Sequence, residues 1–383
     1  MRVLITDGNF KHTLAAVRSL GKRGVNVTVL SDLRLSVSLH SKYCSKGIFA
    51  PNPERDTTFS EFVYDLVKRE QFDVILPISY AAVDQISQIQ ERLEPYIRVP
   101  LPDRVSIDLA GNKDKTMQLA ESIGIAIPKT FYPQSLEDAE RIADSLSYPV
   151  VVKGARENGN VGYANSSEEL ISQYKKISAF SPIVQEYITG RGYGFFALYN
   201  HGEARAIFMH RRLREYPVTG GPSALAESIY DPVLMEQGLK LLDSLQWHGV
   251  AMVEFKKDER TGKYVLMEIN PKFWGSLELA IASGVDFPYL TCRMACEGDI
   301  EPVFSYKSGV KFRWLFPQDI FHAVTNPRVL PRFFSDFADR TIHYDIDSHD
   351  IVPNILQIGM TVGEFALRVK QGRFWRPHGR PLL

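Results

Sequence analysis

Three cysteines in 383 residues, Cys44, Cys292 and Cys296, are too few for a disulfide framework. Cys292 and Cys296 stand four apart on a predicted helix, and no further metal-ligating side chains lie near them in sequence. They read as buried free thiols of a reducing, cytoplasmic protein. Excess charge is also missing. Lys plus Arg and Asp plus Glu both number 45, which argues against nucleic acid as the main partner, because phosphate-backbone binding leaves a basic surplus. No run approaches the roughly 18 uninterrupted apolar residues of a membrane span, so no integral membrane segment is expected. The opening ten residues lack the apolar core and cleavage site of a signal peptide. No repeat or low-complexity tract is present. The first strand-to-helix turn, Thr6-Asp7-Gly8-Asn9-Phe10-Lys11, has no G-x-G-x-x-G. Asp32 therefore carries little weight as a ribose ligand, and a nicotinamide enzyme is disfavoured.

What is present is length for two or three well-packed domains. A strand over 3–6, a helix over 10–23 stopped by Gly24, and a strand over 25–30 begin a parallel α/β unit. A helix over 59–70, a strand over 72–78 and a helix from 81 extend it, so residues 1–102 are predicted to form a small open parallel-sheet domain. The Pro-bounded strip 99–102 marks its end. A second domain is expected over 103–300. Asn112 caps a helix that begins at Lys113. The apolar strand before Lys153 leads into a loop with Gly154, Gly159 and Gly162. A lysine followed by such a loop suits a phosphate group, since backbone N–H groups form an anion-binding concavity; the alternative is a surface lysine before an ordinary loop. Next come the strand Ile183–Ile188, a Gly-rich turn over 189–194, a hairpin about Asn200-His201-Gly202, and the polar run His210-Arg211-Arg212-Leu213-Arg214. These arginines either form a solvated face or hold an anionic substrate by forked hydrogen bonds.

From residue 301 the texture changes, and 301–383 is set apart as a C-terminal extension. It contains a strand over 310–315, a basic aromatic stretch over 328–337, and a loop with Asp345, Asp347, His349 and Asp350 that reads as a capped turn rather than a metal site. Residues 365–375 form a short basic amphipathic stretch suited to packing on the body, or to touching a membrane surface or a partner.

The most informative stretch is 250–276. Two apolar strands, Val250–Phe255 and Tyr264–Asn270, flank a charged turn over 256–263. Folding the hairpin brings Glu254 opposite Glu268, and strand alternation puts Asn270 on the face of Glu268. Like charges across a ladder repel, and unpaired buried carboxylates cost more still. Either a hard cation such as Mg2+ sits there with oxygen ligands, or one glutamate pairs with Lys256 or Lys272, or the strand is a wet edge.

Lys113, Lys153 with its glycine loop, Gln185-Glu186-Tyr187-Ile188, Glu254 and Glu268-Ile269-Asn270-Pro271-Lys272 occur in one order. That order resembles the ATP-grasp superfamily over about residues 1–300. The E-x-N-P-K-F-W-G-S form looks most like a little-characterised group related to D-aspartate ligase and, more distantly, to biotin carboxylase and carbamoyl-phosphate synthetase. The resemblance implies an α/β and α+β architecture: an N-terminal open parallel-sheet pre-ATP-grasp domain, then a two-lobed ATP-grasp fold whose mobile lid spans about 127–187. It implies that Lys113, Lys153, Gly159 and Gly162 hold ATP phosphates. Gln185, Glu186, Tyr187 and Ile188 line the adenine, and Glu254, Glu268 and Asn270 ligate Mg2+, with Mn2+ as a substitute. Lys272, where most members carry an arginine, and Arg212 are the implied catalytic cations. His210, Arg211, Arg214, Trp274 and Ser276 are the implied substrate contacts. The activity implied is an ATP-dependent ligase that joins a small-molecule carboxylate to an amine through an acyl phosphate, in a family where homodimers are common. A carboxylase using bicarbonate and a non-catalytic ATP-binding regulator are the alternatives.

Overall fold

The computed structural model describes residues 1–156, 161–218, 220–372 and 374, and its strands fall into three sheets. The first holds β1 (Arg2–Ile5), β2 (Asn26–Ser31), β3 (Lys46–Phe49) and β4 (Val74–Leu76), all parallel in the order β3-β2-β1-β4. Val3, Leu4, Ile5, Val27 and Val29 are fully buried, as expected of parallel strands covered on both faces. The helix Lys11–Lys22 packs Leu14, Val17 and Leu20 inward, and Gly24 at φ 74° turns the chain out of it. Strand β3 has no signal in the sequence: it is a short, mostly exposed edge of composition Lys-Gly-Ile-Phe.

The second sheet is β5 (Thr130–Phe131), β6 (Val150–Lys153), β7 (Val161–Ala164) and β8 (Ile183–Glu186), antiparallel in the order β5-β8-β6-β7. Val150, Val152, Ala164 and Val184 form a small core with Ala143 and Leu170 from the helices Leu136–Ala143 and Ser167–Ile177. Ser135 and Ser166 cap those two helices by accepting bonds from Asp138 N and Glu169 N.

The third and largest sheet contains β9 (Gly190–Asn200), β10 (Glu203–Glu215), β11 (Ser223–Ser228), β12 (Gly249–Asp258), β13 (Tyr264–Asn270), β14 (Lys311–Arg313) and β15 (Ile342–Tyr344), in the order β13-β12-β9-β10-β11-β14-β15. Alternation along β9 splits its side chains between two cores. Phe195, Ala197 and Tyr199 pack with Leu234, Leu241 and Leu242 of the helix Pro232–Asp243. Phe196 and Leu198 face the core shared with the first sheet.

Three expectations are corrected. The strand of Glu254 does not end at Phe255; β12 runs to Asp258, so Lys256 and Lys257 are strand residues and the turn is shorter. The Gly-rich turn over 189–194 lies almost wholly within β9. Its glycines leave room for crossing side chains: a Cβ at Gly194 would meet Phe196 and His210 Nε2, and one at Gly192 would lie 2.9 Å from Arg212 Cδ. The third concerns only the strand content beyond 301: a second strand, β15, joins the expected one, and both β14 and β15 belong to the central sheet. The basic stretch from 365 begins within the long helix Ile351–Lys370, and Trp375 lies outside the described residues.

Buried ion pairs fix the C-terminal part. Arg214 bonds Asp319 at 2.7 and 3.0 Å and Asp336 at 2.5 Å. Arg18, from the first helix, bonds Asp350 at 2.9 Å, and Asp350 also accepts from Ser41 Oγ and Lys42 N. The two other acids of that loop, Asp345 and Asp347, accept backbone N–H groups of Leu315 and His349.

Candidate active site

A cleft of about 790 Å3 is lined by residues of the second and third sheets, by residues 9–12 and by the helix Ile351–Lys370. Its floor is the β12–β13 hairpin. Glu254 stands directly opposite Glu268, and Met252 opposite Asn270. Glu268 accepts from Asn270 Nδ2 at 3.0 Å and lies 3.2 Å from Lys113 Nζ. Glu254 accepts from Arg212 at 2.6 Å. Cations from several parts of the chain neutralise the two acids: Lys113 and Arg212 by direct contact, with Lys153 and Lys272 adding charge around Glu268 and Lys256 around Glu254. Among the described residues no three His, Cys, Asp or Glu side chains converge on one point. The donor set of the floor is two carboxylates and one amide oxygen, the hard-oxygen chemistry that suits Mg2+.

Charge at the floor is strongly coupled to burial. Burial alone would raise Glu268, but Lys113, the Asn270 amide, Lys153 and Lys272 outweigh it and hold the carboxyl below its usual range. Burial brings Lys153 down to about 8, against the pull of Glu268 and with the push of Lys113 and Lys256. His210 falls to about 3 through burial and the adjacent Arg212, so it is a neutral imidazole. Burial raises Glu215 despite Arg212 and Lys256 nearby.

Lys153 ends β6 and enters the cleft from the second sheet, while Lys113 begins the helix Lys113–Ser122 below it. The connection from β8 to β9 forms the side wall. Gln185 is buried and donates to Thr130 Oγ1 at 2.9 Å; its Oε1 finds no partner within the protein. The Ile188 carbonyl accepts from Lys256 Nζ at 3.0 Å, and that ammonium also sits 5.0 Å from the Tyr187 ring. Ser276 Oγ lies 3.3 Å from His210 Nε2, and Trp274 packs on Phe196.

A family model described as ATP-grasp in the biosynthetic pathway with Ter operon matches residues 180–316. Solved structures share the architecture over most of the chain. The biotin carboxylase domain of 2-oxoglutarate carboxylase from Hydrogenobacter thermophilus is 17% identical, with a TM-score of 0.65 over 81% of this chain and 73% of its own. N5-carboxyaminoimidazole synthetase from Staphylococcus aureus is 17% identical, with 0.64 over 81% and 80%. L-amino acid ligase from Bacillus licheniformis is 17% identical, with 0.63 over 79% and 77%. The chain has the ATP-grasp fold, and its central part matches an ATP-grasp family model.

The ATP-grasp fold brings together Lys113, Lys153, Gln185, Glu186, Tyr187 and Ile188 with Glu254, Glu268, Asn270 and Lys272 along one cleft. His210, Arg212, Trp274 and Ser276 line it too. Three expected residues stand elsewhere. Gly162 lies in β7 on the side of the helix Ser167–Ile177, where a Cβ would press on Gln173. Arg211 faces away and pairs with Glu227 at 2.6 Å. Arg214 is spent on Asp319 and Asp336. The reason is a bulge in β10 between Arg212 and Glu215: alternation places His210 and Arg212 in the cleft, and the bulge then puts Glu215, not Arg214, on that face. Gly159 lies outside the described residues.

Several lining residues went unread in the sequence. Lys256 is two residues past Glu254 and shares its face, a signal hidden by placing it in the turn. Lys11 and His12, from the first helix, and Gln357, Thr361 and Glu364, from the last, also line the cleft. Burial brings His12 down to about 3, with Lys272 and Lys11 adding to the effect. No local motif marks any of these.

Proposed function

We propose that the chain is an ATP- and Mg2+-dependent ligase that activates a small-molecule carboxylate as an acyl phosphate and condenses it with an amine. The observation that carries this reading is the convergence of Lys113 and Lys153, from separate parts of the fold, on the Glu254–Glu268–Asn270 floor of one cleft. Glu254, Glu268 and the Asn270 amide oxygen would hold the metal. A Mg2+ held by them would supply charge neutralisation for nucleotide phosphates. Lys113 and Lys153 contact those phosphates as point charges. Gln185, with its unpartnered Oε1, and the chain through Tyr187 and Ile188 orient the base.

Phosphoryl transfer asks for positioning and charge stabilisation more than for covalent help. Arg212 and Lys272 flank the path of the transferring group and stabilise its oxygens. The substrate carboxylate oxygen bonds to the γ-phosphorus as ADP leaves. The amine lone pair then attacks the acyl carbon, phosphate departs, and the nitrogen loses a proton. The lid formed by the second sheet shields the acyl phosphate from water. The neutral His210, held by Ser276, sits at the acceptor end, where it shapes the substrate pocket without adding charge.

The test is release of ADP and phosphate with Mg2+ across a panel of carboxylates and amines, with mass spectrometry of the products. An amide product requiring ATP supports the ligase. Turnover that needs bicarbonate and no amine would make it a carboxylase. Tight ATP binding with no turnover over a broad panel would make it a regulator.

A further inference from the structure

The helix Ile351–Lys370 is amphipathic in the reverse sense. Asn354, Gln357, Thr361, Glu364 and Arg368 recur every three or four residues and form its inward stripe. Asn354 bonds Arg18 and the Asp347 carbonyl, Gln357 and Thr361 line the cleft, and Arg368 pairs with Glu364 at 2.6 Å. The opposite face carries Ile351, Ile355, Ile358, Val362 and Val369, all exposed, with Ile355 at 61% and Val362 at 64%; Phe365 at its edge packs partly on Phe374 and Phe321. A surface helix ordinarily shows the converse, and a contiguous apolar patch of this kind marks an interaction site. Gly359 and Gly363 lie on the outward side, and a Cβ at either would meet nothing in the protein. Among the described residues, Lys370 is the one ionisable side chain on the exposed arc.

Apolar area alone does not choose between a lipid surface and a second copy of the chain; charge does. Residues 351–383 hold one acid, Glu364, which Arg368 offsets, and Lys370, Arg373, Arg376 and Arg380 are left in excess. The acid is already paired inward. Two copies meeting through this face would bring like-charged segments together, whereas an anionic leaflet complements them. An apolar face combined with a basic cluster supplies the two signals that peripheral anchoring requires. No helix of the described residues is long and apolar enough to cross a membrane, so the helix would lie in the interfacial plane. We propose that the outward face of the helix Ile351–Lys370 docks on an anionic lipid surface, with its inward polar stripe still lining the cleft.

The experiment is co-sedimentation of the full chain with phosphatidylcholine vesicles, with and without phosphatidylglycerol, at low and high salt. Binding to the anionic vesicles alone, weakened by salt, is expected. The double variant Ile355→Asp/Val362→Asp should lower partitioning by at least about 100-fold, and Lys370→Glu by roughly 30-fold. All three side chains are exposed, so the thermal midpoint should stay near that of the unaltered chain and ATP binding should persist. Absence of binding to anionic vesicles would overturn the proposal. So would equal binding to neutral ones, or a dimer in light scattering that the double variant dissolves while vesicles capture nothing.

Discussion

Arg212 on β10 reaches across the backbone of β9 to donate a 2.6 Å hydrogen bond to Glu254 on β12. The crossing works because Gly192 lies beneath it; a Cβ there would sit 2.9 Å from Arg212 Cδ. One of the floor carboxylates is thus tied to the one arginine of the 211–214 run that enters the cleft. Arg212→Met should lower turnover by about 10²–10³-fold, the cost of losing a positioned cation at developing charge. Gly192→Ala should displace the guanidinium and lower turnover by about tenfold. Steady-state kinetics on both, with nucleotide affinity measured in parallel, check this. Unchanged turnover in Arg212→Met would remove it from the catalytic set.

Lys153 gives a pH dependence with a defined sign. Its folded value, near 8, lies below the ordinary 10.5 because burial disfavours the charged amine. Between those values the unfolded chain binds a proton that the folded chain does not, so this residue makes stability rise with pH there. Its burial cost is fully present below about 8. Nucleotide phosphates favour the ammonium, so ATP affinity should be greatest below pH 8 and decline above it, with proton uptake on binding near the midpoint. Calorimetry in buffers of different ionisation enthalpy measures that uptake. In Lys153→Met the uptake should vanish, and an unaltered pH profile would assign the titration elsewhere.

Neighbouring arginines of β10 should part company in unfolding experiments. Arg214→Met leaves the buried Asp336 without its guanidinium and removes two bonds to the fully buried Asp319. The loss should be about 3–5 kcal/mol, because a buried charge is left uncompensated. Arg211→Met breaks a pair whose arginine side chain is 40% exposed, worth less than about 1 kcal/mol. Urea denaturation of both variants decides the matter; equal losses would refute the bulge-based division of the strand.

The elements that bind strand to chemistry were the legible ones. Glu254 and Glu268 could be paired from the hairpin pattern because strand alternation is strict and the turn is polar. Lys153 could be placed because it ends an apolar strand before Gly154, whereas Lys113 was singled out by the family resemblance alone. The arginine run was only half legible. A β-bulge leaves no residue signature at Leu213, and one inserted residue reverses every face beyond it. The last helix was missed for a different reason: Pro353, Gly359 and Gly363 lower helix propensity, and its apolar face points outward, so periodicity suggests no place in a core. Lys11, His12 and Gln357 reach the cleft through contacts between segments more than 300 residues apart, which no local pattern encodes.

Glu268→Gln separates the proposed metal-binding role from the structural one. The carboxylate is held below its usual range because Lys113, Asn270, Lys153 and Lys272 outweigh its burial. With a folded value below the unfolded one, its contribution to stability is present above the ordinary carboxylate range and is lost as the pH falls through the folded value. The amide keeps the shape and one acceptor for Asn270 but loses the charge, so the acid limb of the stability profile should flatten. Near neutral pH the variant should remain folded with a modest loss, since Lys113 keeps a polar partner. Metal-free nucleotide should bind as well or better, because one negative charge has left a site that receives phosphates. The gain in affinity on adding Mg2+ should disappear, and turnover with it. Titrations of ATP with and without Mg2+ read this directly. A variant that keeps both the Mg2+ effect and turnover would leave Glu268 as no more than the counter-ion of Lys113.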